Sequence, residues 1–190
     1  MKTIIEANLT EAKEVLDDFI NQPENIASIE RSAQILTNCV AKGGKIISCG
    51  NGGSMTDAMH FAEELSGVFR EKRPALPAIS ISDPSHITCT ANDYGFDSVF
   101  SRFVEGVGQS NDVLLAISTS GNSMNIVKAV EAAKEKGMKV VGLTGKTGGL
   151  LAGMVDSEIR VKGRTHSDRI QEVHIKVLHI LVLLIEQGIK

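Results

Sequence analysis

Short apolar segments alternate with helical patterns from residue 45 onward, and this alternation limits the possible folds more than any other feature of the sequence. Segments 113–117 and 140–143 are apolar throughout, as expected for strands buried on both faces of a parallel sheet. The predicted strands are 45–49, 78–81, 112–117, 139–143 and 158–161. The predicted helices among them lie near 55–67, 85–91, 97–107, 123–136, 148–153 and 166–187. This order predicts a doubly wound α/β fold, with a five-stranded parallel sheet and helices on both faces.

Two more helices are predicted before the first strand. Apolar residues recur at helical spacing over residues 3–21. Pro23 suits the first turn of a second helix, which ends at the glycine pair before the first strand. We therefore expect one domain over 1–190, with a helical hairpin (1–43) before an α/β core that ends in a long helix (44–190). Such a hairpin either covers the sheet or supports oligomerisation, and the sequence leaves both readings open.

Composition argues against several classes of partner. The formal net charge of −3 gives no sign of a nucleic-acid-binding surface. The three cysteines are too few and too scattered for a disulfide framework. The longest apolar run, 180–185, is far shorter than the ~20 residues that cross a bilayer, and the N-terminus is charged too early for a signal peptide. The sequence predicts a soluble cytoplasmic protein that binds neither nucleic acid nor a membrane.

Two polar loops follow predicted strands and have the chemistry of anion-binding sites. They are the segments 50–54 (GNGGS) and 118–123 (STSGNS). In a doubly wound fold, ligands bind beyond the carboxyl ends of the strands. Hydroxyl groups and backbone N–H groups at a helix N-terminus bind phosphate without a lysine. The alternative is that 118–123 only caps its helix, but one cap needs one such residue and this loop has four hydroxyls and an Asn.

Two polar pairs are predicted close to these loops. His60 and Glu64 are four residues apart on the helix that follows the first loop, so they share one helix face. At a rise of about 1.5 Å per residue they lie within about 15 Å of that loop, which is the length of an extended sugar phosphate. By itself, such a pair is also common on a solvated surface. Asn92 and Asp93 follow the second strand and either continue the same rim or only form turns.

The last helix carries another polar set, which includes Asp168, Gln171 and His179. His179 lies in the most apolar part of this helix, where a single histidine is often a hydrogen-bonded core residue. Gln171 and His179 are about 12 Å apart along the helix axis and about 80° apart around it. A shared site requires that they lean toward each other, or that one of them serves a neighbouring subunit.

As a set, these motifs resemble the phosphosugar-binding SIS domain family. The matching stretches are 49–54 (CGNGGS), 60–65 (HFAEEL), 92–96 (NDYGF), 117–123 (ISTSGNS) and 169–172 (RIQE). With the N-terminal helices they span nearly the whole chain, and together they are highly specific. The resemblance implies a homotetramer whose active sites lie at subunit interfaces, which would give the hairpin and the last helix a role in assembly.

The resemblance also implies roles for individual residues. The residues implied to hold the phosphosugar are Gly52, Gly53, Ser54, Glu64, Asn92, Asp93, Ser118, Thr119, Ser120, Ser123, Asp168 and Gln171. Glu64 and His179 are implied to be the catalytic acid/base pair. The implied ligands of one Zn²⁺ per subunit are His60, Glu64, Gln171 and His179. One position departs from the family: many members have an arginine where this chain has Val68, so any contact from that arginine is missing here or is supplied by Arg70.

The activity that this resemblance implies is that of an aldose–ketose isomerase. It would convert sedoheptulose 7-phosphate to D-glycero-D-manno-heptose 7-phosphate through an enediol, the first step of heptose supply for lipopolysaccharide or other surface glycans. Such a reaction needs a base for a carbon-bound proton and an acid at oxygen. The alternative is a non-catalytic SIS protein of the type that binds the bacterial replication initiator. That type lacks the residues that match Glu64 and His179, so their presence here favours the enzyme.

Overall fold

The computed structural model describes residues 1–162 and 166–189, which contain a parallel sheet of five strands. The helices are α1 (Lys2–Ile20), α2 (Pro23–Ala41), α3 (Gly53–Ser66), α4 (Pro84–Tyr94), α5 (Ser101–Val107), α6 (Met124–Glu135) and α7 (Ser167–Gly188). The strands are β1 (Ile46–Cys49), β2 (Ala78–Ser80), β3 (Val113–Ser118), β4 (Lys139–Gly145) and β5 (Ser157–Val161).

The strand order is β2-β1-β3-β4-β5, and each neighbouring pair is parallel. The chain moves outward from β1 to β2, then returns past β1 to β3 and continues to β5. This reversal opens a crevice between the carboxyl ends of β1 and β3, the usual ligand position in such sheets. The predicted doubly wound fold with a five-stranded parallel sheet is confirmed.

The core lies in two layers, one on each face of the sheet. Side chains of β3 alternate between the layers: Leu115 and Ile117 pack with α2, α3 and α7, whereas Leu114 and Ala116 pack with α5 and α6. Every residue of β3 is buried. An apolar strand sequence without alternation is therefore what this central position requires.

The two helices of the hairpin have different surroundings. Helix α2 packs against α7 and β5 and so covers part of one sheet face. Helix α1 buries only Phe19, and it leaves Ile4, Ile5 and Leu9 exposed at 67%, 58% and 67%. The hairpin thus covers the sheet with one helix and presents an apolar surface with the other. Across the described ranges, no helix combines the length and the apolar character that crossing a bilayer requires.

The helix predicted at 148–153 is wrong. The structure has a single 3-10 turn there, Gly149–Leu151, between β4 and β5. Gly148, Gly149 and Gly153 have φ angles of 82°, 55° and 80°. Residues in this left-handed region cannot continue a right-handed helix, and glycine adopts it without steric cost.

Two helix boundaries near residue 95 also differ from the prediction. Helix α4 continues to Tyr94 and stops at Gly95, which has a φ of 86°. A 3-10 turn, Phe96–Ser98, follows this break, so α5 begins at Ser101 rather than near 97. Asn92 and Asp93 therefore belong to the last turn of a helix and not to a loop.

A buried histidine makes the stability of this fold dependent on pH. His174 of α7 lies beneath the end of β4, where its Nε2–H donates to the carbonyl oxygen of Thr144 at 2.9 Å. Its Nδ1 has no hydrogen-bond partner among the residues described. Burial lowers the pKa of His174 to about 4, because a charged imidazole would lose its hydration there.

We expect His174→Gln to weaken the acid sensitivity of folding. Between pH 7 and pH 5 the unfolded wild-type chain takes up a proton near its ordinary pKa, whereas the native imidazole does not. The free energy of unfolding should fall by about 2 kcal/mol more in the wild type than in the variant. Glutamine keeps a donor for the Thr144 carbonyl. Urea unfolding at both pH values measures the difference, and an equal fall in the two proteins would contradict the argument.

Candidate functional site

The loops after β1 and β3 line a cavity of about 320 Å³ at the carboxyl edge of the sheet. The lining residues are Asn51, Gly52, Gly53, Ser54, Ile117, Ser118, Thr119, Ser123, Ser167 and Gln171. We call it the loop cavity. Helices α3 and α6 both begin here, so their N-terminal N–H groups and the positive ends of their dipoles face the same space. The reversal of strand order therefore brings together the two loops that the sequence singles out.

A pair of side-chain amides holds these two loops at a fixed distance. Asn51 Nδ2 donates to Asn125 Oδ1 at 2.9 Å, and Asn125 Nδ2 donates back to Asn51 Oδ1 at 2.8 Å. Asn125 is buried in the first turn of α6. Because the two bonds are reciprocal, each amide satisfies the other and the loops cannot move apart without leaving both unpaired.

The hydroxyl groups of the second loop face one another rather than capping a helix. Ser118 Oγ and Ser123 Oγ are hydrogen-bonded at 3.2 Å, and the Gly121 N–H donates to Ser118 Oγ at 3.2 Å. Ser123 is the N-cap residue of α6, but its side chain makes no capping hydrogen bond. This geometry disfavours the simple capping interpretation, and it suits a phosphate group that accepts hydrogen bonds from hydroxyls and backbone N–H groups.

Two further hydroxyls of the loop have different positions. Thr119 Oγ1 lies in the loop cavity and is 3.2 Å from Ser167 Oγ, at the start of α7. Ser120 lies on the same loop, where its Oγ accepts from the N–H of Asn122 at 3.1 Å. Ser167 has no role in the sequence interpretation. Its approach to Thr119 depends on the placement of α7 across the end of the sheet, for which the sequence has no signal.

His60, Glu64 and His179 form a compact group next to these loops. His60 Nε2 is 3.1 Å from Glu64 Oε1 and 3.5 Å from His179 Nε2. On α3, Glu64 is less exposed than His60, with 16% of its side chain accessible against 41% for His60. His179 is half-buried and faces His60 across the α3–α7 contact. His179 is therefore placed beside polar groups and not in the interior of the apolar core.

Gln171 and Asp168 line a second cavity, next to His60. This cavity of about 350 Å³, the helix cavity, is lined by Thr56, Asp57, His60, Asp168, Gln171, Glu172 and Ile175. Gln171 lines both cavities, and its Nε2 donates to Ser54 Oγ at 3.4 Å. The side chain of Gln171 also contacts the backbone at Gly53 so closely that a Cβ there would lie 2.6 Å from Gln171 Oε1. Gln171 is thus a junction between the two cavities.

Asn92 and Asp93 do not join this arrangement within the single chain. Both are exposed on the last turn of α4, and Asn92 Nδ2 donates to Asp93 Oδ1 at 2.8 Å. Neither is among the residues that line the loop cavity or the helix cavity. The single chain therefore does not bring Asn92 and Asp93 together with the other predicted substrate-binding residues at these two cavities.

Val68, where the resemblance to the family leads one to expect an arginine, is solvent-exposed in this chain. Val68 follows α3 and is 52% exposed. Arg70 places its guanidinium 5.2 Å from the centre of the Phe69 ring, and that ring lies 5.6 Å from the ring of His179. Arg70 is therefore connected to the His179 side of the site through Phe69.

Asp57 is a site residue that the sequence interpretation missed. It lines the helix cavity, and its Oδ2 is buried with no hydrogen-bond partner in the part of the chain that the structure describes. Burial raises the pKa of Asp57 to about 6, and nearby His60 partly opposes that shift. The available signal was its position one helical turn before His60, which places both on one face of α3.

The donor set at the center of the site fits a catalytic zinc ion. One ligand atom from each of His60, Glu64 and His179 lies within 4.8 Å of the others. Two imidazole nitrogens and one carboxylate oxygen are a known protein donor set for catalytic zinc, which keeps a further position for water or substrate. Gln171 is the fourth ligand that the family resemblance implies. In this structure its side-chain amide donates a hydrogen bond to Ser54 Oγ.

The fold and the paired loops define a SIS domain. A sequence model of the family described as "SIS domain" matches residues 9–145, which is well over half of the chain. The matched region includes both loops of the loop cavity and the α3 pair, His60 and Glu64. It ends before α7, which contributes Gln171 and His179.

Relatives that match over nearly their whole length show to which group of SIS domain proteins this chain belongs. A phosphoheptose isomerase of Vibrio cholerae is 58% identical over 184 residues, which cover 97% of this chain and 96% of that protein. One from Pectobacterium atrosepticum is 60% identical, with 97% and 95% covered. The solved structure of phosphoheptose isomerase from Neisseria gonorrhoeae has a TM-score of 0.91 at 37% identity, with 98% of each chain covered. That from Francisella tularensis has a TM-score of 0.90 at 38% identity, with 97% of each covered. The chain belongs to the phosphoheptose isomerase family of SIS domain proteins.

Gly121 allows the second loop to approach the loop after β4, and we expect Gly121→Ala to destabilise the protein. Its φ is 66°, and a Cβ there would lie 1.8 Å from the carbonyl oxygen of Gly148. Gly43 is a matched control, because its φ is 77° and a Cβ there meets nothing within 4 Å. Gly43→Ala should cost about 1 kcal/mol of unfolding free energy through backbone strain alone.

The clash should add at least ~2 kcal/mol in Gly121→Ala, because backbone rather than a flexible side chain must move. Chemical denaturation of both variants measures the difference. Equal losses in the two variants would show that the contact between the loops is not tight.

Proposed function

We propose that this chain is an aldose–ketose isomerase that converts sedoheptulose 7-phosphate to D-glycero-D-manno-heptose 7-phosphate. The observation that carries the proposal is the group formed by His60, Glu64 and His179, which lies beside a phosphate-type cavity. Proteins about 60% identical over nearly the whole length are named phosphoheptose isomerases. The product would supply heptose for lipopolysaccharide or other surface glycans.

The loop cavity and the helix cavity share Gln171, and together they would hold an extended sugar phosphate whose far end lies next to His60. The phosphate group would bind in the loop cavity, held by the hydroxyls of Ser54, Ser118, Thr119 and Ser123 and by the backbone at Gly52 and Gly53. Ser120 would support the loop through its bond to Asn122. Gln171 and Asp168 would contact the sugar hydroxyls, because they line the passage toward His60. This leaves the carbonyl end of the open-chain sugar near Glu64 and His179.

Glu64 and His179 would move the protons of the reaction. In the direction from ketose to aldose, the Glu64 carboxylate takes a proton from C1, and the electrons of that bond form the C1–C2 double bond of an enediol. The His179 imidazole donates a proton to the oxygen on C2 and later accepts the proton from the oxygen on C1. Glu64 then returns a proton to C2. This cycle regenerates both side chains and needs one base at carbon and one acid/base at oxygen.

We propose that the same group holds one zinc ion per subunit, with ligands from His60, Glu64 and His179 and with Gln171 turned in as a fourth. A bound zinc ion supplies a Lewis acid that polarises the substrate carbonyl and stabilises negative charge on its oxygen. Glu64 offers two carboxylate oxygens, of which Oε1 faces His60. The other carboxylate oxygen would then approach the substrate carbon. His179 Nε2 faces His60, so the other ring nitrogen of His179, Nδ1, would carry the transferred proton.

We propose a homotetramer with active sites at subunit interfaces. Two observations support this assembly: the exposed apolar side chains of α1, such as Ile4 and Leu9, and the position of Asn92 and Asp93 away from the cavities of their own chain. In such an assembly Asn92 and Asp93 would reach the phosphosugar of a neighbouring subunit. We place the enzyme in the cytoplasm, where the free thiols of Cys39, Cys49 and Cys89 stay reduced.

The purified protein should convert sedoheptulose 7-phosphate to the heptose phosphate, and a chelator should abolish this turnover. Added zinc should restore it. Nuclear magnetic resonance of the sugar signals monitors both directions of the reaction. Sedoheptulose 7-phosphate that binds without turnover, with and without zinc, would instead identify a non-catalytic phosphosugar-binding SIS protein. Full activity after metal is removed would exclude a catalytic zinc ion.

Glu64→Gln and His179→Gln should each lower kcat at least 100-fold, because each removes a group that transfers a proton. Glu63→Gln is the matched control: the adjacent carboxylate is 66% exposed, against 16% for Glu64, and its Oε1 lies 3.8 Å from His60 Nε2, farther than the 3.1 Å of Glu64 Oε1. It should retain kcat within about twofold of the wild type, since a loss of exposed surface charge has little effect. Steady-state kinetics with circular dichroism as a folding check measures all three. Near-normal turnover in Glu64→Gln or His179→Gln would contradict the assigned role.

A further inference from the structure

A mostly buried guanidinium connects the two helices that carry the proposed acid/base pair. Arg73 lies in the segment that leads from α3 back to β2. Its Nη2 donates to the carbonyl oxygen of Glu64 at 2.7 Å, and its Nη1 donates to that of Leu65 at 2.7 Å. Its Nε donates to Glu186 Oε1, on α7, at 2.6 Å. Only 13% of the Arg73 side chain and 11% of the Glu186 side chain are exposed.

Helix α3 depends on Arg73 at its C-terminal end. The last carbonyl groups of any helix have no partner within it. Helix α3 has no basic residue in its last turn, and it does not end in a left-handed glycine, since Gly67 has a φ of −93°. The fork of Arg73 donates to two of these carbonyls and places a positive charge at the negative end of the helix dipole. The Leu65 carbonyl also accepts from the Leu76 N–H at 2.9 Å, whereas the Glu64 carbonyl has Arg73 as its donor. The carbonyl of Glu64 is one of the two, so Arg73 binds the backbone of the proposed base.

Glu186 fixes the other end of the connection to the helix of His179. Glu186 and His179 are seven residues apart, so they lie on nearly the same face of α7, about 10 Å apart along its axis. Apolar contacts, such as those of Phe61 and Leu178 in the same core cluster, also hold α3 against α7. Such contacts are not directional and permit small sliding movements. The Arg73 hydrogen bonds are directional, and they constrain how far α3 can slide along α7.

Stability alone is a weak reason for such a pair. A buried ion pair often contributes no more to folding than well-packed apolar side chains of similar size, because both charges lose their hydration. We propose that Arg73, with Glu186, is a positioning residue that sets the separation of Glu64 and His179. This proposal rests on the proposed isomerase function and adds a residue to it that touches neither substrate nor metal.

The double variant Arg73→Met with Glu186→Met tests the proposal, because it replaces the pair with apolar side chains and leaves no unpaired charge. We expect kcat to fall 10- to 100-fold, since a displacement of about 1 Å is enough for such a loss. KM should change less than threefold, because the phosphate contacts lie at the other end of α3. The dissociation constant for zinc, measured by competition with a chromophoric chelator, should rise at least tenfold.

Two further variants make the test specific. Lys45→Met breaks another ion pair, with the buried Asp112, at the amino ends of β1 and β3 and so on the opposite edge of the sheet. It should leave kcat and zinc affinity within about twofold of the wild type, even if it lowers the melting temperature. Arg73→Lys keeps the charge but not the planar fork, so it should lose kcat and zinc affinity in the same direction.

The proposal is overturned if the double variant is folded and keeps both kcat and zinc affinity within twofold of the wild type. If the double variant does not fold, Arg73→Lys decides by the same two measurements. Equal losses in Lys45→Met and the Arg73 variants would also overturn it, because the effect would then be one of general stability. A wild-type protein without turnover would instead refute the proposed function, and the zinc measurement would still decide on the positioning role.

Discussion

The parallel pairing of β1 with β3 is the constraint on which the rest of the site depends. Ile46 pairs with Val113 and Cys49 pairs with Ala116, so the two strands run side by side to their carboxyl ends. Because β2 lies on the other side of β1, the helices after β1 and β3 leave the sheet on opposite faces. Both of their N-termini point into one crevice. The Asn51–Asn125 amide pair then holds the two loops together.

Helix α3 connects the loop cavity with the group formed by His60, Glu64 and His179. Its first turn belongs to the loop cavity, and its last two turns carry His60 and Glu64. At a rise of about 1.5 Å per residue, the ten residues from Ser54 to Glu64 span about 15 Å along the helix, which is comparable to the length of an extended sugar phosphate. Helix α7 crosses both ends of α3, with Ser167 and Gln171 at the loop cavity and His179 beside His60. In the proposed isomerase, the phosphate end and the reacting end of the substrate would therefore be held by different parts of the same two helices.

The sequence was informative about features that depend on the residues of a single strand or loop. Apolar strands without alternation predicted a doubly covered parallel sheet. Polar loops after two of these strands, one rich in glycine and one rich in hydroxyls, predicted anion-binding sites beyond the carboxyl ends of the strands. The sequence was silent on contacts between distant elements. Arg73 and Glu186 are 113 residues apart, and Asn51 and Asn125 are 74 apart, so no local pattern links them. The meeting of His60 with His179 likewise depends on how α7 packs on α3. The wrong helix at 148–153 is an error of a different kind. The sequence pattern there suggested a helix, but glycines with positive φ prevent a continuous one.

Isomerisation in deuterated water is the sharpest test of whether Glu64 transfers a proton between two carbons through an enediol. The heptose phosphate formed by the wild-type protein should carry one deuterium at C2, because the carboxyl group of Glu64 exchanges its proton with solvent before it returns one to carbon. Mass spectrometry and proton nuclear magnetic resonance locate the label. Product that forms at the normal rate with hydrogen from C1 at C2, even after prolonged incubation at equilibrium, would show a direct hydride shift and would contradict the account.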